Sequence, residues 1–351
     1  MTESGARGFA SDNFAGAHPD VIAAIAAAND GHAGAYGADP WTAACEERFR
    51  EHFGPSARAF PVFNGTGANV VCLRAALRPF EAAICPATAH LAVDECGAPE
   101  ALAGVKLLTV PTPDGKLTPE LAASAVERVG DQHAVQPRLV SISNATELGT
   151  VYSASEVGAL AELARSGGLL LHVDGARLAN AAAGLDVSLG ALTCEVGVDL
   201  VSFGGTKNGL LFGEAVVVFG DELADGLDYV RKQSMQLASK MRFLSAQLLA
   251  LLEDDLWLRN ASHANAMARQ LADAVGGVEG VELTQAVEAN AVFATLPRPA
   301  IARLQETLPG ELPFYVWDER PDEVRWMCSW DTTPEDVDRF AEAVAKAVGK
   351  R

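Results

Sequence analysis

The sequence lacks long apolar runs and paired cysteines. Its longest apolar stretches, residues 210–219 and 244–252, are short and interrupted, whereas a membrane helix needs about 20 apolar residues. The six cysteines include no CxxC pair and no His/Cys ligand spacing, which argues against a disulfide framework and a metal site. The N-terminus has no basic segment followed by an apolar one, so we expect no signal peptide. These absences predict a reduced, cytoplasmic protein that neither spans a membrane nor holds a metal.

Basic residues are also scarce: 27 Lys and Arg stand against 46 Asp and Glu, a formal net charge of −19. A surface this acidic repels the phosphates of nucleic acids and anionic lipids, so we expect neither as a partner. An anionic substrate would need local positive charge at its site. Arginines inside motifs are therefore the main candidates for binding such a substrate. The 351 residues, 49% hydrophobic and 21% charged, are typical of a globular protein with about two domains.

Short apolar runs alternate with helical patterns through the middle of the chain. We predict strands at 82–85, 105–110, 139–143, 169–173, 200–203 and 215–219. Helices are predicted at 68–76, from about 119 onward, and at 155–165, the last one capped by Ser153 or Ser155. Strands this apolar, separated by helices, indicate a mostly parallel sheet covered on both faces.

The C-terminal part has a different pattern. We predict one long helix at 257–275, short strands at 281–283, 291–295, 314–317 and 324–329, and a final helix at 334–348 capped by Thr332 or Thr333. This order is typical of a smaller α+β domain, and we expect the domain boundary on a helix between residues 230 and 260.

The segment LLLHVDGARL, residues 169–178, is an apolar strand that ends in a carboxylate. Side chains alternate along a strand, so His172 and Asp174 share one face. Asp174 lies at the carboxyl end of the strand, where open α/β sheets bind their ligands. An Asp before Gly is also a common turn residue, and a packed strand histidine is an equally good interpretation of His172.

The segment VDLVSFGGTKNGLLFG, residues 198–213, carries a strand into a turn of small residues and a lysine. Its glycines, Ser202 and Thr206 let backbone N–H groups and hydroxyls approach an anion such as phosphate. Lys207 is a candidate Schiff-base nucleophile, because partial burial lowers the pKa of an amine. The alternative is an ordinary solvated loop lysine.

The segment FNGTGANV, residues 63–70, runs through a Gly-rich turn into a helix whose first N–H groups can hold a phosphate. It matches neither the P-loop nor the GxGxxG pattern. Together the three segments describe one site, since a pyridine ring needs a carboxylate at its nitrogen, a lysine at its aldehyde and an anion site for its phosphate. Asp174 comes before Lys207 with one βα excursion between them, an arrangement that resembles the fold-type I pyridoxal 5'-phosphate (PLP) enzymes.

The chain resembles the threonine aldolase family, within the aromatic amino acid β-eliminating lyase/threonine aldolase group. The matching segments are SDN at 11–13, YGADP at 36–40, NGTGAN at 64–69, the His90 segment followed by DECGAPE, HVDGARLANA at 172–181, SFGGTKNG at 202–209 and the Arg325 segment. They follow the family's order and span essentially the whole chain. The resemblance implies an N-terminal segment 1–45 that packs with the small domain or a partner subunit, a large PLP-binding α/β domain 46–245, and a small α+β domain 246–351.

The resemblance also implies roles for single residues at the cofactor. Lys207 resembles the lysine that binds the PLP aldehyde, and Asp174 resembles the carboxylate on the pyridine nitrogen. His90 resembles the imidazole that stacks on the ring. Gly65 and Thr66 resemble the pair that binds the phosphate.

For the substrate carboxylate, the resemblance points to Ser11, Arg177 and Arg325, and Arg177 is also expected at the cofactor. The chain departs from some members of the family at ISNATELG, residues 142–149, where they carry a second active-site histidine. This chain has Glu147 and no histidine there. His90, or a water that it holds, therefore becomes the candidate base.

The family implies an aldolase that cleaves L-threonine, L-allo-threonine or a related β-hydroxy-α-amino acid such as phenylserine into glycine and an aldehyde. β-Elimination and transamination on the same fold are alternatives, and the products distinguish them. A non-catalytic PLP-binding protein is a further alternative, against which the intact Lys207, Asp174 and Arg325 argue. The family also implies a homo-oligomer, a tetramer or a dimer, with its sites at subunit interfaces.

Overall fold

A computed structural model describes residues 7–307, 313–317 and 322–349 of the chain. Within these residues the strands are β1 (Ala57–Val62), β2 (Glu81–Pro86), β3 (Lys106–Val110), β4 (Gln136–Ser143), β5 (Leu170–Gly175), β6 (Leu200–Gly204), β7 (Glu214–Phe219), β8 (Glu282–Leu283), β9 (Ala291–Thr295), β10 (Tyr315–Val316) and β11 (Glu323–Met327). The helices are α1 (Pro19–Ala27), α2 (Pro40–Phe53), α3 (Gly65–Ala76), α4 (His90–Val93), α5 (Pro119–Ser124), α6 (Ala154–Ser166), α7 (Leu178–Leu185), α8 (Asp221–Ala224), α9 (Leu227–Gln233), α10 (Met241–Leu252), α11 (Leu256–Val275), α12 (Arg298–Thr307) and α13 (Pro334–Gly349).

The larger sheet has seven strands in the order β1-β7-β6-β5-β4-β2-β3. The strands from β6 to β3 pair in parallel, and β7 runs antiparallel to both of its neighbours. This confirms the mostly parallel sheet that the sequence predicts. The parallel register sets Asp174 of β5 opposite Ser143 of β4 and Ser202 of β6. The carboxyl ends of three strands therefore meet at one edge.

The central strands are buried on both faces, which explains their continuous apolar sequence. Leu171 and Val173 of β5 pack in one core cluster, while Leu200 of β6 and Leu139 of β4 pack in another. Helices cover both faces, as the alternating pattern predicts.

Side-chain caps explain where several helices begin. The Asn64 side chain accepts a 2.7 Å hydrogen bond from the Gly67 N–H, so α3 begins at Gly65, three residues before the predicted start. Ser153 caps α6 through the Glu156 N–H. Thr333 makes the equivalent bond at α13, where its hydroxyl accepts from the Asp336 N–H at 3.2 Å. Each cap supplies an acceptor that the first turn of the helix lacks.

The second sheet is antiparallel throughout, in the order β10-β11-β9-β8, and it forms a core with α11 and α13. The N-terminal segment joins this core. Phe9 donates its N–H to the Pro313 carbonyl at 2.7 Å and accepts from the Met327 N–H at 2.8 Å, and its ring stacks on Phe340 at 4.4 Å. The domain boundaries near 45 and 245 stay predictions. In the described ranges, no helix has both the length and the apolarity to cross a membrane.

The ring of Phe340 contacts Phe9, Phe314 and Trp326 in this core. We expect Phe340→Ala to lower the free energy of unfolding by about 3–5 kcal/mol, since it removes buried surface and leaves a cavity. Phe80→Ala is the matched control, because the Phe80 side chain is 54% exposed. Urea unfolding of the three proteins measures the difference, and equal midpoints for the two variants would contradict the expectation.

Candidate functional site

One pocket opens at the carboxyl edge of the larger sheet, and residues from five parts of the chain form its wall. Asp174 comes from the end of β5, Lys207 from the 3-10 turn Thr206–Asn208 after β6, and His90 from the start of α4. The full lining is Gly65, Asn69, His90, Ser143, Ala145, Glu147, Asp174, Ala176, Arg177 and Lys207. Five of the residues that the sequence predicts are thus brought together: Gly65, His90, Asp174, Arg177 and Lys207.

Lys207 lies in an environment that favours its neutral amine. The nearby Arg177 guanidinium and burial both lower the pKa of Lys207, while Asp12, Asp174 and Glu214 act in the opposite direction. A lysine whose pKa is lowered is more often unprotonated at neutral pH, and only the unprotonated amine is a nucleophile.

The turn that carries Lys207 is closed by its own hydrogen bonds. Gly205 donates its N–H to Glu214 Oε2 at 2.7 Å, and the Thr206 hydroxyl accepts from the Gly213 N–H at 3.0 Å. Burial raises the pKa of Glu214 to about 7. The sequence suggests this turn as an anion site, but the Gly205 N–H and the Thr206 hydroxyl form hydrogen bonds within the protein. These bonds hold Lys207 at the end of the strand.

Asp174 is held by two hydrogen bonds. Its Oδ1 accepts from the Ala176 N–H at 3.0 Å, and its Oδ2 accepts from Asn69 Nδ2 at 2.9 Å. Asn69 Nδ2 also donates to Glu95 Oε1 at 2.7 Å, and Glu95 Oε1 is 2.9 Å from His90 Nδ1. A chain of hydrogen bonds therefore connects the Asp174 carboxylate with the His90 ring.

The bond to Glu95 has an electrostatic consequence for His90. Glu95 has no exposed side-chain surface, and its carboxylate raises the pKa of His90 against the effect of burial. The imidazole is therefore more often protonated than an ordinary histidine. The backbone N–H of His90 donates a hydrogen bond to Glu147 Oε1 at 2.9 Å. This bond joins α4 to the loop after β4.

Arg177 forms a two-pronged ion pair with Asp12. Nε and Nη2 of Arg177 donate to the two Asp12 oxygens at 2.7 and 2.9 Å. Burial opposes the charge of both partners, but the pair keeps the pKa of Asp12 below and that of Arg177 above their ordinary values. Asn290 Nδ2 donates to Asp12 at 3.1 Å and to the Cys328 carbonyl at 2.8 Å. The pair thus connects the N-terminal segment with both sheets.

Five predicted residues lie outside the wall of this pocket: Thr66, Thr206, Ser202, Ser11 and Arg325. Thr66 is in the first turn of α3, and Ser11 caps the turn Asp12–Phe14. Arg325 of β11 donates to the Ala10 carbonyl at 3.3 Å and lies 5.5 Å from the ring centres of Tyr315 and Trp317. Within the described residues its Nε has no hydrogen-bond partner. Burial and the nearby Arg177 lower the pKa of Arg325.

Ser202 supports the sheet rather than the pocket wall. Its hydroxyl lies 3.0 Å from His172 Nε2 and 3.4 Å from Cys72 Sγ, and Ser141 Oγ is 2.9 Å from His172 Nδ1. Burial lowers the pKa of His172 to about 4. His172 is thus a neutral, packed strand residue.

Asn69, Glu95, Asp12 and Ser143 are not among the residues predicted from the sequence, and Glu147 is noted there only where the chain departs from the family pattern. A signal exists for three of them, since Asn69 ends NGTGAN, Glu95 begins the ECGAPE part of its segment, and Asp12 is the centre of SDN. Across the described ranges, no group of three or more His, Cys, Asp or Glu residues is arranged to hold a metal ion.

Comparison with known proteins gives consistent matches. The beta-eliminating lyase family matches residues 8–297. A low specificity L-threonine aldolase of Pseudomonas aeruginosa is 46% identical over 97% of this chain and 98% of that protein. The solved structure of Leishmania major threonine aldolase has a TM-score of 0.91 at 31% identity, and the match covers 97% of this chain and 99% of that chain. Oryza sativa TDC, solved with PLP and tryptamine, has a TM-score of 0.72 at 16% identity over 95% of this chain and 81% of that chain, a likeness of fold.

Removing the partner of Arg177 should destabilise the protein. We expect Asp12→Asn to lower the free energy of unfolding by about 3–5 kcal/mol, because a buried guanidinium loses its counter-charge. Since the folded-state pKa of Asp12 is lowered, this difference is complete above the ordinary value of 3.8 and shrinks as the pH falls through the lowered value.

Urea unfolding at a series of pH values measures this difference. Asp131→Asn is the control, because Asp131 pairs with Arg128 at the surface, where ion pairs contribute little. A difference between wild type and Asp12→Asn that does not change with pH would contradict the ion-pair explanation.

Proposed function

Because this chain belongs to the beta-eliminating lyase family, as a member of its threonine aldolase group, we propose that it is a PLP-dependent aldolase. Its proposed reaction cleaves L-threonine, L-allo-threonine or a related β-hydroxy-α-amino acid into glycine and an aldehyde. The observation that carries the proposal is the pocket shared by Lys207, Asp174 and Arg177. These residues offer a nucleophilic amine, a carboxylate for a ring nitrogen and a cation for a substrate carboxylate.

The residues of the pocket offer the chemical groups that PLP needs, and the pocket is open at Gly65. A Cβ built on Gly65 would meet nothing within 4 Å, so the N-terminus of α3 is open to a group of some size, and a helix N-terminus favours a phosphate. Lys207, with its lowered pKa, is suited to bind the aldehyde. Asp174 is suited to hold a proton on the pyridine nitrogen, and His90 to lie against the ring. When bound, PLP supplies a conjugated ring that delocalises the electron pair left at Cα.

Positive charge for the substrate carboxylate comes from Arg177 and Arg325. Asp12 takes Nε and Nη2 of Arg177, so Nη1 is the end that a carboxylate would meet. Arg325 has a buried Nε without a partner in the described ranges, and the nearby Arg177 charge helps to lower the pKa of Arg325. A carboxylate held by charged hydrogen bonds has a fixed orientation, which selects the bond at Cα that is cleaved. Here that bond is Cα–Cβ.

The homo-oligomeric state, the cytoplasmic location, the cofactor contacts of Thr66, Ser202 and Thr206, and the substrate contact of Ser11 stay predictions. For Ser202 and Thr206, the hydrogen bonds within the sheet and the turn favour a supporting role over direct contact.

Product analysis tests the proposed reaction. We expect the purified protein with PLP to release equal amounts of glycine and aldehyde from L-threonine or L-allo-threonine. Lys207→Ala should lose turnover and the visible absorbance of the lysine-bound cofactor, whereas Lys346→Ala, exposed on α13, should behave as wild type. Ammonia with a keto acid would indicate β-elimination, and a keto acid with aminated cofactor would indicate transamination. A fully active Lys207→Ala would end the assignment.

Arg325→Ala should mainly weaken substrate binding. A charged hydrogen bond contributes about 1.5–3 kcal/mol, so we expect KM for L-threonine to rise about 10- to 100-fold with a smaller change in kcat. Steady-state kinetics measure both constants. Arg165→Ala is the control, because Arg165 pairs with Glu162 on the exposed face of α6. An unchanged KM in Arg325→Ala would remove Arg325 from the carboxylate site.

A further inference from the structure

One carboxylate in the pocket, that of Glu147, forms no hydrogen bond with Lys207 or Arg177 among the described residues. Glu147 follows β4 and lines the pocket with Lys207, Asp174 and Arg177. Its Oε1 accepts hydrogen bonds from the His90 N–H at 2.9 Å and from the Ser143 hydroxyl at 2.6 Å. Its Oε2 is buried and has no hydrogen-bond partner within the described ranges. The carboxylate is therefore held at one oxygen, while the other receives no hydrogen bond from the described residues.

A buried polar atom in a native protein normally has a hydrogen-bond partner. In this pocket, a bound amino acid is suited to supply the hydrogen-bond donor for Glu147 Oε2. The substrate carboxylate is matched by Arg177, and its amine is the group that replaces Lys207 on the cofactor. The β-hydroxyl is the remaining polar group of a β-hydroxy-α-amino acid, and it is a donor of the kind that Glu147 Oε2 lacks.

His90, the base that the sequence favours, is less suited to accept this proton. Its Nδ1 is engaged with the buried Glu95 carboxylate at 2.9 Å, and this bond raises the pKa of His90. A histidine with a raised pKa is more often protonated, and a protonated imidazole cannot act as a base. The same bond instead holds the ring in one orientation.

We propose that Glu147 is the catalytic base of the aldol cleavage, and that its Oε2 accepts the proton of the substrate β-hydroxyl. This inference rests on the proposed function. As the O–H bond breaks, its electron pair forms the C=O bond of the aldehyde, and the electron pair of the broken Cα–Cβ bond remains on Cα. The proton taken up by Glu147 balances the proton that Cα later receives. Glycine and the aldehyde are thus formed without a further reactant.

The surroundings of Glu147 support this role. Burial raises the pKa of Glu147, and the Asp174 charge acts in the same direction, while the bonds from Ser143 and from the His90 N–H act against both. A carboxylate with a raised pKa is a stronger base than an exposed one. The two donors at Oε1 keep the side chain in place without occupying Oε2.

Glu147→Gln tests the proposal with the holoenzyme. The amide keeps an oxygen for the His90 N–H and the Ser143 hydroxyl, but it cannot accept a proton. Two reactions are compared, cleavage of L-threonine and exchange of the glycine Cα hydrogen in D₂O followed by NMR. The exchange requires the Lys207 site but involves no β-hydroxyl. We expect kcat for cleavage to fall by about 10²- to 10⁴-fold, while the exchange stays close to the wild-type rate.

The controls separate the proposal from its alternatives. Glu162→Gln, on the exposed face of α6, should leave both reactions unchanged, and Glu147→Asp should recover part of the cleavage that Glu147→Gln loses. Equal loss of both reactions in Glu147→Gln would mean that Glu147 only holds the site together, and unchanged cleavage would exclude it as the base; either result overturns the proposal. A wild type that exchanges glycine hydrogen but cleaves no β-hydroxy amino acid would refute the proposed function itself.

Discussion

The parallel pairing of β4, β5 and β6 is the constraint on which the rest of the site depends. Parallel strands bring their carboxyl ends to the same edge, and the register sets Ser143, Asp174 and Ser202 side by side there. The loops that follow β4 and β6 then carry Glu147 and Lys207 to the same pocket. A one-residue shift of β5 would turn the Asp174 side chain to the other face of the sheet.

Buried charge in this pocket is balanced by hydrogen bonds from distant parts of the chain. The Arg177–Asp12 pair brings the N-terminal segment to the end of β5, and Asn290 extends the contact to the second sheet. On the other side, Asn69 and Glu95 connect Asp174 with His90. The Glu95 carboxylate raises the pKa of His90, and the Arg177–Asp12 pair keeps the pKa of Asp12 below its ordinary value. Architecture and chemical reactivity therefore rest on the same contacts.

The catalytic candidates that lie at element boundaries can be predicted from the sequence. Asp174 and Lys207 each follow an apolar strand and precede or lie within a small-residue turn, a pattern that is visible in the letters alone. The roles of Asn69 and Asp12 cannot be predicted from their motifs, because these roles depend on partners 105 and 165 residues away. The Gly-rich turn at Lys207 has a similar dependence, since Glu214 on the next strand accepts the hydrogen bond of the Gly205 N–H.

The sequence by itself determined six of the seven strands of the larger sheet, its mostly parallel character, and the placement of Asp174 and Lys207 at strand ends. Periodicity, turn residues and caps are local properties, and they act over a few residues. Only the tertiary structure decided which oxygen meets which donor. It gave His90 a carboxylate partner, joined Arg177 to Asp12, and left Glu147 Oε2 without a donor among the described residues. Such pairings arise when packing brings distant segments within hydrogen-bond distance, and no local pattern records that distance.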